Sequence, residues 1–98
     1  MATFISTVRF TAQGIQGVNE TTRRAAALKA TAKKMGVKVV SLYWTLGAFD
    51  GLIVFEAPDD ETATALMLNV GALGNVQTTT VRAFNAAEMD QILAKMNA

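Results

Sequence analysis

Residues Val37–Leu46 (VKVVSLYWTL), Gly47–Asp50 (GAFD) and Gly51–Glu56 (GLIVFE) decide the fold. The first run is rich in β-branched and aromatic side chains, which predicts a strand. The last is short and continuously apolar, the pattern of a central strand covered on both faces. So tight a connection predicts an antiparallel hairpin. Strict alternation along the first strand places Val39 and Tyr43 on one side, and Val40, Leu42, Trp44 and Leu46 on the other.

Toward the N-terminus, Thr3–Phe10 (TFISTVRF) reads as a strand, with Phe4, Val8 and Phe10 on one parity and Ile5, Thr7 and Arg9 on the other. Thr11–Asn19 (TAQGIQGVN), punctuated by Gly14 and Gly17, predicts a loop. A helix is expected from about Glu20 to Met35. Thr21, Ala25, Leu28, Ala32 and Met35 form its apolar stripe, Arg23, Lys29, Lys33 and Lys34 lie off it, and Gly36 stops it.

Toward the C-terminus, Pro58–Glu61 (PDDE) is a helix start in which Asp59 or Asp60 accepts from free N–H groups of the first turn. The helix runs to about Val70 on a stripe of Ala63, Leu66, Met67 and Val70. Ala65 and Leu68 make it apolar on further sides. Gly71–Gly74 (GALG) closes it, and Asn75–Phe84 (NVQTTTVRAF) is a fourth strand. Asn85 and Glu88 have capping-box spacing ahead of a last helix with Met89, Ile92, Leu93 and Met96 on one face.

The order β-α-β-β-α-β plus a C-terminal helix predicts a single α+β domain over residues 1–98, ferredoxin-like, with two helices on one face of an antiparallel sheet. Two helices cannot cover both faces. The other face is expected to meet a second copy, giving a homodimer or a multiple of dimers.

Composition agrees with a packed domain. The chain has 98 residues, 51% apolar and 17% charged, with a net charge of +1. Charged residues usually make up about 25%, and so few of them on a small domain point to a surface covered by another chain. Nearly balanced charge disfavours nucleic acid as a partner. The most apolar window, Ala63–Leu73, is about half the roughly 20 residues of a spanning helix, so no membrane association is expected. With no secretory signal pattern either, the expected location is the cytoplasm. Cysteine and histidine are both absent. Disulfides, Cys/His metal sites, histidine-ligated haem and histidine general bases are therefore excluded, and no metal or cofactor is expected.

Gly47-Ala48-Phe49-Asp50, then LIVFEAPDDETA and LGNVQTTTVRAF, together with Gln13-Gly14-Ile15, resemble the GYD domain family over roughly residues 2–93. The resemblance implies a small bacterial or archaeal protein that pairs as a dimeric α+β barrel. Related barrels include cofactor-independent monooxygenases, isomerases and the ligand domains of transcription regulators. The family motif has Tyr where this chain has Phe49, so a role needing a phenol there is lost.

Four residues are candidates for binding a ligand: Arg9, Tyr43, Trp44 and Asp50. Asp50 is a general base at a barrel mouth or a turn-stabilising acceptor beside Phe49, which would plug the core. Tyr43 and Trp44 are adjacent in a strand, so only one of them can line a barrel cavity while the other meets the helices or an edge, and the alternative for both is core and dimer packing. Arg9, with Arg82 on the neighbouring strand, either holds a carboxylate or reaches solvent and surface acids. Thr78-Thr79-Thr80 reads as strand propensity, and no phosphate-binding loop is present. These readings favour a small-molecule-binding homo-oligomer. The alternatives are a non-catalytic assembly or regulatory module, and an enzyme of the monooxygenase or isomerase kind.

Overall fold

The computed structural model describes residues 1–97. Its elements are β1 (Ala2–Phe10), α1 (Ala12–Gln16), α2 (Thr21–Lys34), β2 (Lys38–Trp44), β3 (Gly51–Ala57), α3 (Asp60–Ala72), β4 (Val76–Ala83) and α4 (Ala86–Met96). The strands form one sheet in the order β2-β3-β1-β4, with every neighbouring pair antiparallel. This is the expected ferredoxin-like α+β arrangement, with β1 and β3 central.

The ends of the elements follow local chemistry. Gly36 stops α2 with φ 75°, a conformation that costs a residue with a side chain far more. Asp59 caps α3 by accepting from the Thr62 N–H at 2.7 Å. Hydrogen bonding by the Thr62 side chain, and then this bond, hold the Asp59 carboxyl below its ordinary pKa. The capping box before α4 is complete, with Glu88 N–H donating to Asn85 and Asn85 N–H donating to Glu88.

Two features depart from the sequence reading. Thr11–Asn19 is not an open loop. Thr11 accepts from the Gly14 N–H and starts the short helix α1, and a 3-10 turn at Val18–Glu20 leads into α2. In β2, Val39 pairs with Phe55 and Ser41 with Val54, leaving Val40 as a bulge. The extra residue reverses the alternation. Val39 therefore shares the helix-covered face with Leu42 and Trp44, while Ser41 and Tyr43 lie on the opposite face.

Phe4, Ala32, Val37, Ile53, Phe55, Ala57, Ala63 and Leu66 form the core between the sheet and α2 and α3. The Phe4 and Phe55 rings stack with centroids 5.4 Å apart. Buried Ser6 is satisfied by the Thr80 hydroxyl at 3.0 Å. Phe49 does not plug this core: it is half-buried and stands outside it, in a loop where Gly47 takes the positive φ of 123° open to glycine.

On the opposite face, register aligns Val81, Ile5 and Val54 in one row, and Thr79, Thr7, Leu52 and Tyr43 in the next. Val81 is 54% exposed and Tyr43 60%. Helix α4 buries no residue, and Met89, Leu93 and Met96 are all exposed. The radius of gyration is 14.9 Å and the long axis 52 Å, against about 13 Å for the radius of 100 compact residues.

Candidate functional site

A cleft of about 200 Å³ lies between the sheet and the two long helices. Val8, Phe10, Leu42 and Ile53 make its floor, Leu28 and Val70 its helical wall, and Trp44 stands at one edge. α2 and α3 meet near the end of α2, where the Asn69 side-chain amide donates to Met35 Sδ at 3.7 Å. Toward the start of α2 the space is bordered by Thr21, Arg24, Asp50 and Asn75.

The Trp44 indole spans this edge, its Nε1–H donating to Thr21 Oγ1 at 2.9 Å. Trp44 thus borders the cleft from the helix-covered face of the sheet. Tyr43 also borders the cleft, while its register with Leu52 turns its ring to the other face of the sheet.

Asp50 is held where β1 and β3 meet. Its Oδ2 accepts from the Phe10 N–H at 2.9 Å, and its own N–H donates to Val8 O at 2.8 Å. The carboxylate thus extends the ladder across strands instead of closing its own turn. Thr45 secures the far side of the loop, its hydroxyl donating to Phe49 O at 2.6 Å.

Arg9 and Arg82 are not brought together. Arg9 is exposed, opposite Gln77 on the face away from the helices. Arg82 pairs with Phe4 in register and lies on the other face. Its guanidinium sits 4.6 Å from the Phe84 ring centroid and 5.6 Å from that of Phe4, donates to Thr3 O and Ala83 O, and pairs with Glu88 at 3.5 Å.

Arg24, which the sequence reading does not single out, also borders the cleft. Its Nη1 donates to Gly14 O at 3.3 Å and its Nη2 to Gly17 O at 2.8 Å, and the residue borders the cleft. No carboxylate of the described residues forms an ion pair with it. A signal was present: Arg24 sits three residues after Thr21 and four before Leu28, on the stripe and not off it.

The wall behind Arg24 is rigid. Thr11 N–H donates to Asn75 O at 3.1 Å, the Thr11 hydroxyl to Gly74 O at 2.6 Å, and Gln13 Nε2 to Leu73 O at 3.1 Å and Asn75 Oδ1 at 2.9 Å. A Cβ on Gly14 would lie 1.8 Å from Asn75 O, so only glycine allows this approach. The Gln13-Gly14-Ile15 and Leu73-Gly74-Asn75 segments, distant in sequence, thus form one clamp.

Among the described residues no helix is long and apolar enough to cross a membrane, and no three acidic side chains gather into a metal-binding group.

The GYD domain family model matches residues 4–93. A protein of Thermus thermophilus described as a glutamine synthetase and cystathionine beta-lyase binding protein is 31% identical over 90 residues, 91% of this chain and 95% of its own. Two solved structures share the fold. MtbAldR superposes with a TM-score of 0.67 at 15% identity over 86% of this chain, which spans about half (53%) of that one. FFRP-DM1 superposes with a TM-score of 0.60 at 19% identity over 86% of this chain and 100% of its own.

Proposed function

The chain belongs to the GYD domain family, and from that premise we propose that it is a homo-oligomeric binding protein. Two copies pair sheet to sheet as a dimeric α+β barrel, and each copy keeps its own cleft for a small molecule. The observation that carries this reading is the half-covered sheet face. Ile5, Leu52, Val54, Val81 and Tyr43 form a contiguous apolar surface of a kind that small monomers rarely leave to water. Helix α4 supports the same reading. An 11-residue helix is marginal in isolation, and a second copy supplies apolar surface for Met89, Leu93 and Met96.

Binding is better supported than catalysis. Asp50 and Trp44, the site's candidate acid–base group and aromatic wall, are already engaged by Phe10 N–H and Thr21. A base committed to a backbone donor is a poor proton acceptor for a substrate. The relative's description adds a second reading, a regulatory module that docks on a metabolic enzyme. The exposed Leu68 of α3 and Leu73 just after it supply apolar surface for it.

Native mass spectrometry tests the first reading. Wild type is expected as a dimer or a multiple of dimers, and Val54→Glu as a folded monomer, because a charge cannot be buried unpaired at the centre of the interface. A wild-type monomer would sink the pairing. Co-elution of the chain with purified glutamine synthetase or cystathionine beta-lyase would support the second reading.

A further inference from the structure

We propose that the cleft binds a small monocarboxylate with an apolar, ring-sized or branched body, its carboxylate held by Arg24. The inference rests on the small-molecule reading of the cleft and names the ligand's chemistry.

Volume limits the body. A dry apolar cavity of about 150 Å³ accepts a benzene ring. The cleft's 200 Å³ therefore takes one ring or a branched chain with a small headgroup, and excludes most drug-sized ligands. The lining sets its character. Val8, Leu28, Leu42, Trp44 and Ile53 offer apolar contact, which favours a body without polar groups of its own.

Charge sets the headgroup. Arg24 is half-buried beside this apolar surface, and its only hydrogen bonds among the described residues go to the carbonyls of Gly14 and Gly17. Those neutral acceptors orient the guanidinium without neutralising it. A partly desolvated cation is stabilised most by an anion, and with two of its five N–H donors on Gly14 O and Gly17 O the guanidinium keeps three for a carboxylate. The Thr21 hydroxyl also borders the space, although it already accepts from Trp44.

Asp50 is the competing charge at the same cleft. One of its oxygens is taken by the Phe10 N–H. It places negative charge at the sheet side of the mouth, so an anionic ligand is oriented with its carboxylate toward α2. A cationic ligand would take the reverse orientation, and the test separates the two.

The chain's single tryptophan lines the cleft, so its fluorescence reports occupancy directly. Phenylacetate, phenylacetamide and phenethylamine carry the same ring with a negative, neutral or positive head. Titrated at pH 7, phenylacetate is expected to change Trp44 emission saturably and to bind at least about tenfold more tightly than the amide, with the amine weakest. Arg24→Gln, checked for folding by circular dichroism, is expected to erase the preference for acid over amide while the amide still binds. Should that variant not fold, Arg24→Lys keeps the charge, loses the fork and is expected to retain only part of the preference. Equal binding of acid and amide, or tightest binding of the amine, overturns the carboxylate assignment and leaves the small-molecule reading standing. No binding by any of the three up to about 10 mM overturns both.

Discussion

On the face of the sheet beneath α2 and α3, Phe4 and Phe55 stack at 5.4 Å and are almost wholly buried. One residue further along each strand, Ile5 and Val54 face each other on the opposite side, only half-buried, in a row that ends at exposed Val81. The two faces are drawn from the same strands, but the second sets Ile5, Leu52, Val54 and Val81 among Thr7, Ser41 and Thr79 and is the less apolar. They differ in where their cover comes from. The first is completed by helices of its own chain, and so contributes to the stability of an isolated copy. On the proposed pairing the second is completed by another copy, and its contribution then depends on protein concentration.

The largest expected effect separates these two contributions. Phe55→Ala empties a fully buried site and should cost about 3–5 kcal/mol in chemical denaturation at any protein concentration. Val54→Ala should cost much less in dilute protein, with a penalty that grows as concentration rises. Equal, concentration-independent losses for the two would show that both faces belong to the monomer.

A smaller effect tests the seam between the cleft and the sheet. Asp50→Ala leaves the Phe10 N–H without its acceptor and should cost about 1–3 kcal/mol. Asp50→Asn retains an oxygen acceptor and should cost less than half of that. If Asn is as damaging as Ala, the charge itself is required, and the ladder role assigned to Asp50 is wrong.

The smallest effect concerns α4, the element that leaves its own body. Glu88 is held below its ordinary pKa chiefly by the Asn85 N–H, with help from Arg82 and against some desolvation. The folded value is the depressed one. The capping contribution is therefore full above the unfolded pKa and is lost as pH falls through the folded value. Helical circular dichroism should fall modestly through acid pH in wild type, and that component should be absent in Glu88→Gln. An identical acid profile for the two proteins would remove Glu88 from the capping account.

Much of the fold was legible because its signals are local. The apolar run LIVF marked β3 as central, Gly36 marked the end of α2, and Asn85 with Glu88 marked the start of α4. Less of the site was legible. Tyr43, Trp44 and Asp50 all border the cleft, but register turns the Tyr43 ring to the other face, where Arg9 also lies, and Asp50 bonds across strands. Arg24 was hidden because a charged residue on an alanine-rich helix usually faces water.

By itself, the sequence determined the order of the four strands and of the helices α2, α3 and α4, the α+β class and the excess of apolar surface, since periodicity and capping depend on residues within a few positions of one another. Only the tertiary structure decided which face each β2 residue occupies, because one bulged residue at Val40 reverses the alternation without leaving a mark in composition. It also decided that Gln13-Gly14-Ile15 clamps Leu73-Gly74-Asn75 and that Arg24 reaches the cleft. Those contacts join residues some sixty positions apart in one case and fix a flexible side chain in the other, and nothing local to either segment encodes the partner.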